Sequence, residues 1–170
     1  MPFVPSTTSS TDPFTVVYQA IYNGLANFTD FTAIVKLANP NNLIHFDGLA
    51  NPIKDKRNAA DLPEVVLMQS KWRAEPYAVN SIACGIWQTY PIVATAADLN
   101  IIPVNQLKYQ TIRALDSLGS KLGVSFVRLF RLTDSRDLPA SSAPGRGIDR
   151  WQSILDINVE MAVPKPLASI

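Results

Sequence analysis

The sequence predicts an α+β domain in which a mainly antiparallel sheet of about four or five strands packs with two main helices and carries long loops. Three observations favour this class. Residues 150–165 alternate apolar and polar side chains with the two-residue period of a strand. Two other stretches, about 13–27 and 103–118, repeat apolar residues at helical spacing. The order helix, polar loop, hairpin, helix, hairpin is typical of α+β domains.

The composition indicates one domain with a sizeable core and a weakly charged surface. The chain has 170 residues, of which 47% are hydrophobic and 17% charged, and its formal net charge is +1. Such a surface suits a protein that packs against other subunits, and it exerts no general attraction on nucleic acid or membrane. Neither a signal peptide nor an apolar span long enough to cross a bilayer is evident, so we expect a soluble protein of intracellular origin with no membrane partner.

The closing strand is expected to organise the domain. Leu155, Ile157 and Val159 lie on its apolar parity, whereas most residues of the other parity are polar. Pro164 and Pro166 remove two backbone donors and end the pairing. A strand of this length needs neighbours, so the other segments must supply both partners and a cover for its apolar face.

The first half of the domain begins with a helix signal. Asp12-Pro13 places a capping side chain before proline at the first helical position, and the helix is predicted to run to about residue 27. A second short helical piece is expected from Thr29 to Leu37. Residues 1–12 before the domain form a Ser/Thr/Pro-rich arm, the domain spans 13–165, and residues 166–170 form a tail.

The second long helix is predicted to open at Pro103 and to end at Gly119 in a left-handed cap. Ile112 is expected to widen its apolar face. The residues predicted to line that face are Val104, Leu107, Thr111, Leu115 and Leu118.

Four strand segments are predicted besides the closing one. They are residues 43–46, 62–72, 81–95 and 124–133. The segment 62–72 is apolar on both sides, which favours a central strand that pairs with 81–95 as a hairpin, and Pro91 is expected to break or bend 81–95. Residues 134–149 are predicted to be a long loop.

No arrangement of residues points to catalysis, to a cofactor or to a metal. His45 and Asp47 share one face of a short strand, but no nucleophile accompanies them, so they are interpreted as a polar pair beside a turn. Cys84 lies in an apolar run and is interpreted as an inert core residue. One histidine and one cysteine are too few for a typical metal site. We therefore expect a protein that is not an enzyme.

Basic residues cluster in two loop regions of a chain that is otherwise poor in charge. The first cluster is Lys54, Lys56 and Arg57, and the second extends along the last hairpin. Solvation explains such clusters by default, and interleaved aspartates weaken a nucleic-acid interpretation. The residues that remain candidates for an interface or a lumen are Lys54, Lys56, Arg57, Arg146 and Arg150.

The layout resembles the tail terminator family of tailed phages. An opening amphipathic helix (FTVVYQAIYNGL) is followed by a hairpin strand (DLPEVVLMQSKW) and a long strand (SIACGIWQTYPIVATA). A helix (VNQLKYQTIRALDSLG) and the alternating strand (WQSILDINVEMAVPK) complete it, over roughly residues 13–165. No residue roles are carried over, because the resemblance lies in layout rather than in a motif.

The resemblance implies a structural virion protein that is made in the host cytoplasm. It implies a ring, usually of six subunits, that caps the tail tube in the neck and joins it to the head. Its partners would then be further copies of itself, the tail tube protein and the neck or connector proteins, with passing contact with DNA. Two alternatives remain: another neck or tail-completion protein, or a small nucleic-acid-binding protein that uses the basic loops.

Overall fold

The computed structural model describes residues 12–38, 45–46, 64–76, 83–97, 101–140 and 150–164. They form three helices and a six-stranded sheet, which confirms the predicted α+β class with a mainly antiparallel sheet. The helices are α1 (Pro13–Ala26), α2 (Thr29–Ala38) and α3 (Ile101–Asp116). The strands are β1 (His45–Phe46), β2 (Glu64–Leu67), β3 (Trp72–Pro76), β4 (Ala83–Ala97), β5 (Val127–Ala140) and β6 (Arg150–Pro164).

The two longest strands form the centre of the sheet. β4 and β6 pair antiparallel over their whole length, from Ala83 opposite Pro164 to Ala97 opposite Arg150, without a shift of register. The strand order is β1-β2-β4-β6-β5, and β3 also pairs with β4 on the side of β2. Only the short β1–β2 pair is parallel. The closing strand is therefore central, as predicted.

One prediction about the first hairpin is wrong, and one of the two outcomes expected at Pro91 is excluded. The segment expected to be one strand over 62–72 contains two strands, β2 and β3, which are separated at residues 68–71. Pro91 does not break β4. Its carbonyl accepts the amide of Met68 at 2.8 Å. In an antiparallel strand the N–H and C=O of one residue point to the same side. The N–H that proline lacks would therefore have pointed toward the gap between β2 and β3, so its absence does not affect the pairing of β4 with β6.

The second hairpin is longer than predicted. β5 extends to Ala140, so residues 134–140 of the expected loop belong to a strand. Its pairing with β6 shifts register between Val127 and Leu129 and again between Leu132 and Asp134. Each irregularity inserts an extra residue and reverses the alternation of faces, which is why simple parity in the sequence did not show that the strand continues.

The core lies between the helices and one face of the sheet. Leu155, Ile157 and Val159 are buried as predicted. Val104, Leu107, Thr111 and Leu115 are buried in α3, whereas Ile112 is 41% exposed, so its expected place on the buried face is wrong. Among the helices of the described ranges, none has the length and apolar character that crossing a membrane requires.

Both predicted helix signals work as their chemistry suggests. The Asp12 carboxylate accepts the amide of Thr15 at 2.8 Å, which satisfies one of the free donors at the start of α1. Gly119 has a φ of 73° after α3, a conformation that costs glycine little. α3 begins at Ile101, two residues earlier than predicted, because Pro103 is tolerated in a first turn.

Tyrosine hydroxyls hold α1 on the sheet. Tyr18 donates to the carbonyl of Leu67 at 2.7 Å, and the fully buried Tyr90 donates to the carbonyl of Phe14 at 3.3 Å. Burial, followed by the proximity of Asp12, raises the pKa of Tyr90 well above its ordinary value. The Tyr90 hydroxyl therefore keeps its proton and remains a donor.

Substituting Ile157 tests the assignment of faces on β6. Ile157→Asp places an unpaired charge in the core and should lower the free energy of unfolding by on the order of 3–5 kcal/mol. Ile154→Asp is the matched control, because Ile154 is half-buried on the opposite face and pairs with Arg136. Circular dichroism during urea unfolding should show a large loss for the first variant and a small one for the second. Equal losses would contradict the assignment.

Candidate assembly surfaces

The side chains predicted to form an interface lie outside the described residues. Lys54, Lys56, Arg57 and Arg146 fall outside the described residues, and Arg150 begins β6 with only its backbone described. Their grouping stays a prediction.

The same holds for the residues considered for chemistry. Asp47 lies outside the described ranges, and His45 and Cys84 belong to β1 and β4 with their side chains outside them. Within the described ranges, no three His, Cys, Asp or Glu side chains come together as metal ligands.

One face of the sheet carries a ladder of polar side chains. It is the face opposite the core, and Asp156, Asn158 and Glu160 of β6 lie half-buried on it. The Thr89 hydroxyl donates to the Asn158 side-chain oxygen, and the Gln152 amide donates to the Thr95 hydroxyl at 3.3 Å. These contacts pair polar groups across strands, and such pairs stabilise a sheet.

Aromatic and basic groups border this polar face. The Arg73 guanidinium lies 5.8 Å from the centre of the Trp87 ring, a cation–π geometry. Arg131 and Arg136, which belong to the second basic cluster of the sequence, are exposed on β5 and pair with Asn158 and Ile154 on this face. Asp156 lies between those two positions on β6. The mixed charges suit a polar protein partner better than a phosphate backbone.

A second surface forms where α3 runs alongside β5. The Lys108 ammonium contacts the Asp137 carboxylate at 2.8 Å, and the Phe130 amide donates to the carbonyl of Ser120 at 3.2 Å. Lower residue numbers in α3 thus face higher numbers in β5, so the two elements run antiparallel. Ile112 is one turn beyond Lys108 on α3.

This surface concentrates exposed apolar side chains. Of the six large hydrophobic residues that are substantially exposed in the described ranges, four lie on α3 and one on β5. We call the five the α3–β5 patch: Ile101, Ile102, Tyr109, Ile112 and Leu132. At about half exposure each, their exposed areas add up to on the order of 400 Å².

The spacing of apolar residues in the sequence indicates part of this patch. Ile102 and Tyr109 are seven residues apart, which places them on one side of α3 and away from the buried Val104 and Leu107. Ile112 was assigned to the core because it is apolar. Only the packed structure, in which Ile112 is 41% exposed, shows that it remains at the surface.

The sixth exposed hydrophobic residue lies at the other edge of the sheet. Trp72 of β3 is 62% exposed, and its ring meets that of Phe14 edge-on at 6.3 Å between centroids. The prediction that its segment is central is wrong for β3, which lies on the side of β4 away from β6. A large exposed aromatic at a sheet edge is a common anchor for a protein partner.

A shallow groove of about 330 Å³ lies where the end of α1 meets the turns after α3. Asn23, Gly24 and Phe28 line one side, and Leu118 and Leu122 line the other. A side chain at Gly24 would collide with Leu118, so glycine permits this close approach. Nearby, Arg113 ties α3 to α2 through Asp30 at 2.8 Å. None of the described residues that line the groove is ionisable.

The fold is shared with a chain of a virus-like particle. No protein-family model matches this chain, and no curated protein matches it in sequence. A chain from the virion of a native gene transfer agent particle is similar in structure, with a TM-score of 0.66 at 13% identity. The match covers 91% of this chain and 100% of that chain. At this identity the likeness shows a shared fold.

A second structural match is much weaker. A crystal structure from Akkermansia muciniphila aligns with 88% of this chain and 81% of that chain at 13% identity. Its TM-score of 0.35 carries no argument.

The Lys108–Asp137 pair generates a prediction about pH. The hydrogen bond from Lys108, and then the nearby Ser153 hydroxyl, hold the pKa of Asp137 below its ordinary value of 3.8. A lowered pKa stabilises the fold above the ordinary value, and this stabilisation is lost as the pH falls through the folded-state pKa. The Asp137 side chain is 36% exposed, so we expect the ion pair to contribute less than about 1 kcal/mol to the free energy of unfolding.

Lys108→Gln should therefore lower the Tm near neutral pH, and the difference from the wild type should disappear as the pH falls well below 3.8, the ordinary pKa of the Asp137 carboxyl. Lys121→Gln, which removes a charge from an exposed turn, is the control and should change the Tm little at either pH. Thermal unfolding followed by circular dichroism measures both. A Tm difference that does not depend on pH would assign the role of Lys108 to its aliphatic stem.

Proposed function

We propose that this protein is a structural component of a phage-like virion, and that it acts as the tail terminator. In that role a ring of copies caps the tail tube in the neck and joins it to the head. The observation that carries the proposal is the fold shared with a virion chain over the full length of that chain. The layout that resembles tail terminators supports the finer assignment.

The surfaces support an assembly role independently of that likeness. A subunit of a ring must offer apolar area that becomes buried only on assembly, and the α3–β5 patch offers such area. The proposal includes a homohexamer, contact with tail tube and neck or connector proteins, and a place in the virion neck. It assigns no catalysis and no cofactor. Another neck or tail-completion protein would use the same surfaces with different partners.

The proposal is tested by the state of the full-length protein. Light scattering and electron microscopy should detect a ring, either alone or on the end of purified tail tubes from the same virus. Tubes incubated with Ile112→Asp/Tyr109→Asp protein should remain uncapped, because two charges in the patch oppose burial. Ala33→Asp, which adds a charge at an exposed position of α2 outside the patch, is the control. A strictly monomeric protein that ignores tail tubes would exclude the terminator role.

The nucleic-acid alternative is tested through the basic residues. Lys54→Glu/Lys56→Glu/Arg57→Glu should leave the circular dichroism spectrum unchanged and should weaken assembly, joining to the tube or DNA passage. Arg131→Glu/Arg136→Glu is the matched reversal on the exposed part of β5. A monomer whose DNA affinity falls steeply with salt, and is abolished by the first variant, would favour a nucleic-acid-binding protein.

A further inference from the structure

Trp72 and Leu132 lie on strands at opposite sides of the described sheet, and the other exposed apolar residues lie on α3 above the central strands. Trp72 pairs with Gln88, whose side chain is buried, and therefore lies on the helix side of the sheet. The α3–β5 patch lies on the same side, since Lys108 reaches Asp137 there and Asp137 pairs with the buried Ser153. Strands β3, β4, β6 and β5 span about 14 Å between the two edges.

We propose that neighbouring copies of this chain join head-to-tail, with Trp72 of one copy seated on the α3–β5 patch of the next. The two surfaces differ, so one contact leaves the second surface of each copy open for another neighbour. A repeated contact of this kind generates a ring when its rotation closes. A contact between identical patches would stop at a dimer. This inference deepens the proposed ring and rests on it.

The two surfaces supply part of the area that such a contact needs. The patch alone presents on the order of 400 Å², about half of what one partner contributes to a standard interface. Exposed polar residues between its apolar members, such as Asn105 and Gln106, supply donors and acceptors. On the other copy, Trp72 has a defined orientation because Phe14 meets its ring edge-on. An aromatic side chain that is already held in one orientation loses little conformational entropy when it binds a partner.

The α3–β5 side is also protected against a competing mode of association. β5 ends the described sheet, and an open strand edge invites pairing with another strand. The two register shifts of β5 and the exposed Arg131 and Arg136 oppose such pairing. Side chains of the adjoining patch, rather than the strand edge, are thereby left to make the contact.

A mixed crosslinking experiment tests the contact without removing either surface. Ala74→Cys sits two residues from Trp72 on the same side of β3, and Asn105→Cys lies within the patch on α3; both positions are exposed. Each full-length variant is treated with a short bis-maleimide alone, mixed with the other, and combined in one chain. The wild type, which retains Cys84, measures background crosslinking.

The mixture should yield a covalent dimer, and the chain with both cysteines should yield a ladder that ends at the number of subunits in the ring. Each variant alone should match the wild type. Ala74→Cys mixed with Ala33→Cys, an exposed position on α2, is the negative control. A ring by light scattering without the mixed crosslink, or with crosslinks in either single variant, overturns the contact while leaving the proposed ring intact.

The anchor role of Trp72 has a separate measurement. Trp72→Ala should weaken self-association about 30-fold or more, as expected for a central aromatic anchor, and Trp72→Phe should restore much of it. Sedimentation velocity over a dilution series measures this, and circular dichroism checks the fold. Unchanged self-association of Trp72→Ala overturns the contact. Rings that carry the crosslink but do not bind tail tubes would instead exclude the terminator function and retain the contact.

Discussion

The pairing of β4 with β6 is the constraint on which the rest of this structure depends. Both strands are 15 residues long and pair without a register shift. Strict alternation then places the side chains of Ile92 and Leu155 on one face and those of Val93 and Ile154 on the other. A slip by one residue would bring the polar residues of β6 into the core. Neighbouring strands attach to this pair, and each tolerates an irregularity that the central pair does not.

That pair also determines how the surface is divided. The helices pack on one face, where Tyr18 and Tyr90 bridge α1 to the strands. The opposite face retains cross-strand polar pairs such as Thr89 with Asn158. Exposed apolar side chains remain at Trp72 and in the α3–β5 patch. A subunit with exposed apolar side chains in two separate places is suited to lateral association with neighbouring subunits.

The likeness to a virion chain at 13% identity follows from the same physics. Alternation along β6 and the helical period of α1 and α3 require apolar residues at particular positions but not particular apolar residues. Two chains can therefore share the whole layout while few residues coincide. The fold alone does not specify a function, so the assembly role has to be argued from the exposed surfaces and tested on them.

The sequence by itself determined the class of fold, the central closing strand and the caps at Asp12 and Gly119, because these depend on local period and on the chemistry of single residues. Only the tertiary structure decided how long β5 is, that β2 and β3 are separate strands and that β4 continues unbroken through Pro91, because these depend on hydrogen bonds to strands distant in sequence. The same holds for the candidate surface. Ile112 and Trp72 are as apolar as core residues. Their exposure depends on where α3 and β3 lie relative to the rest of the sheet.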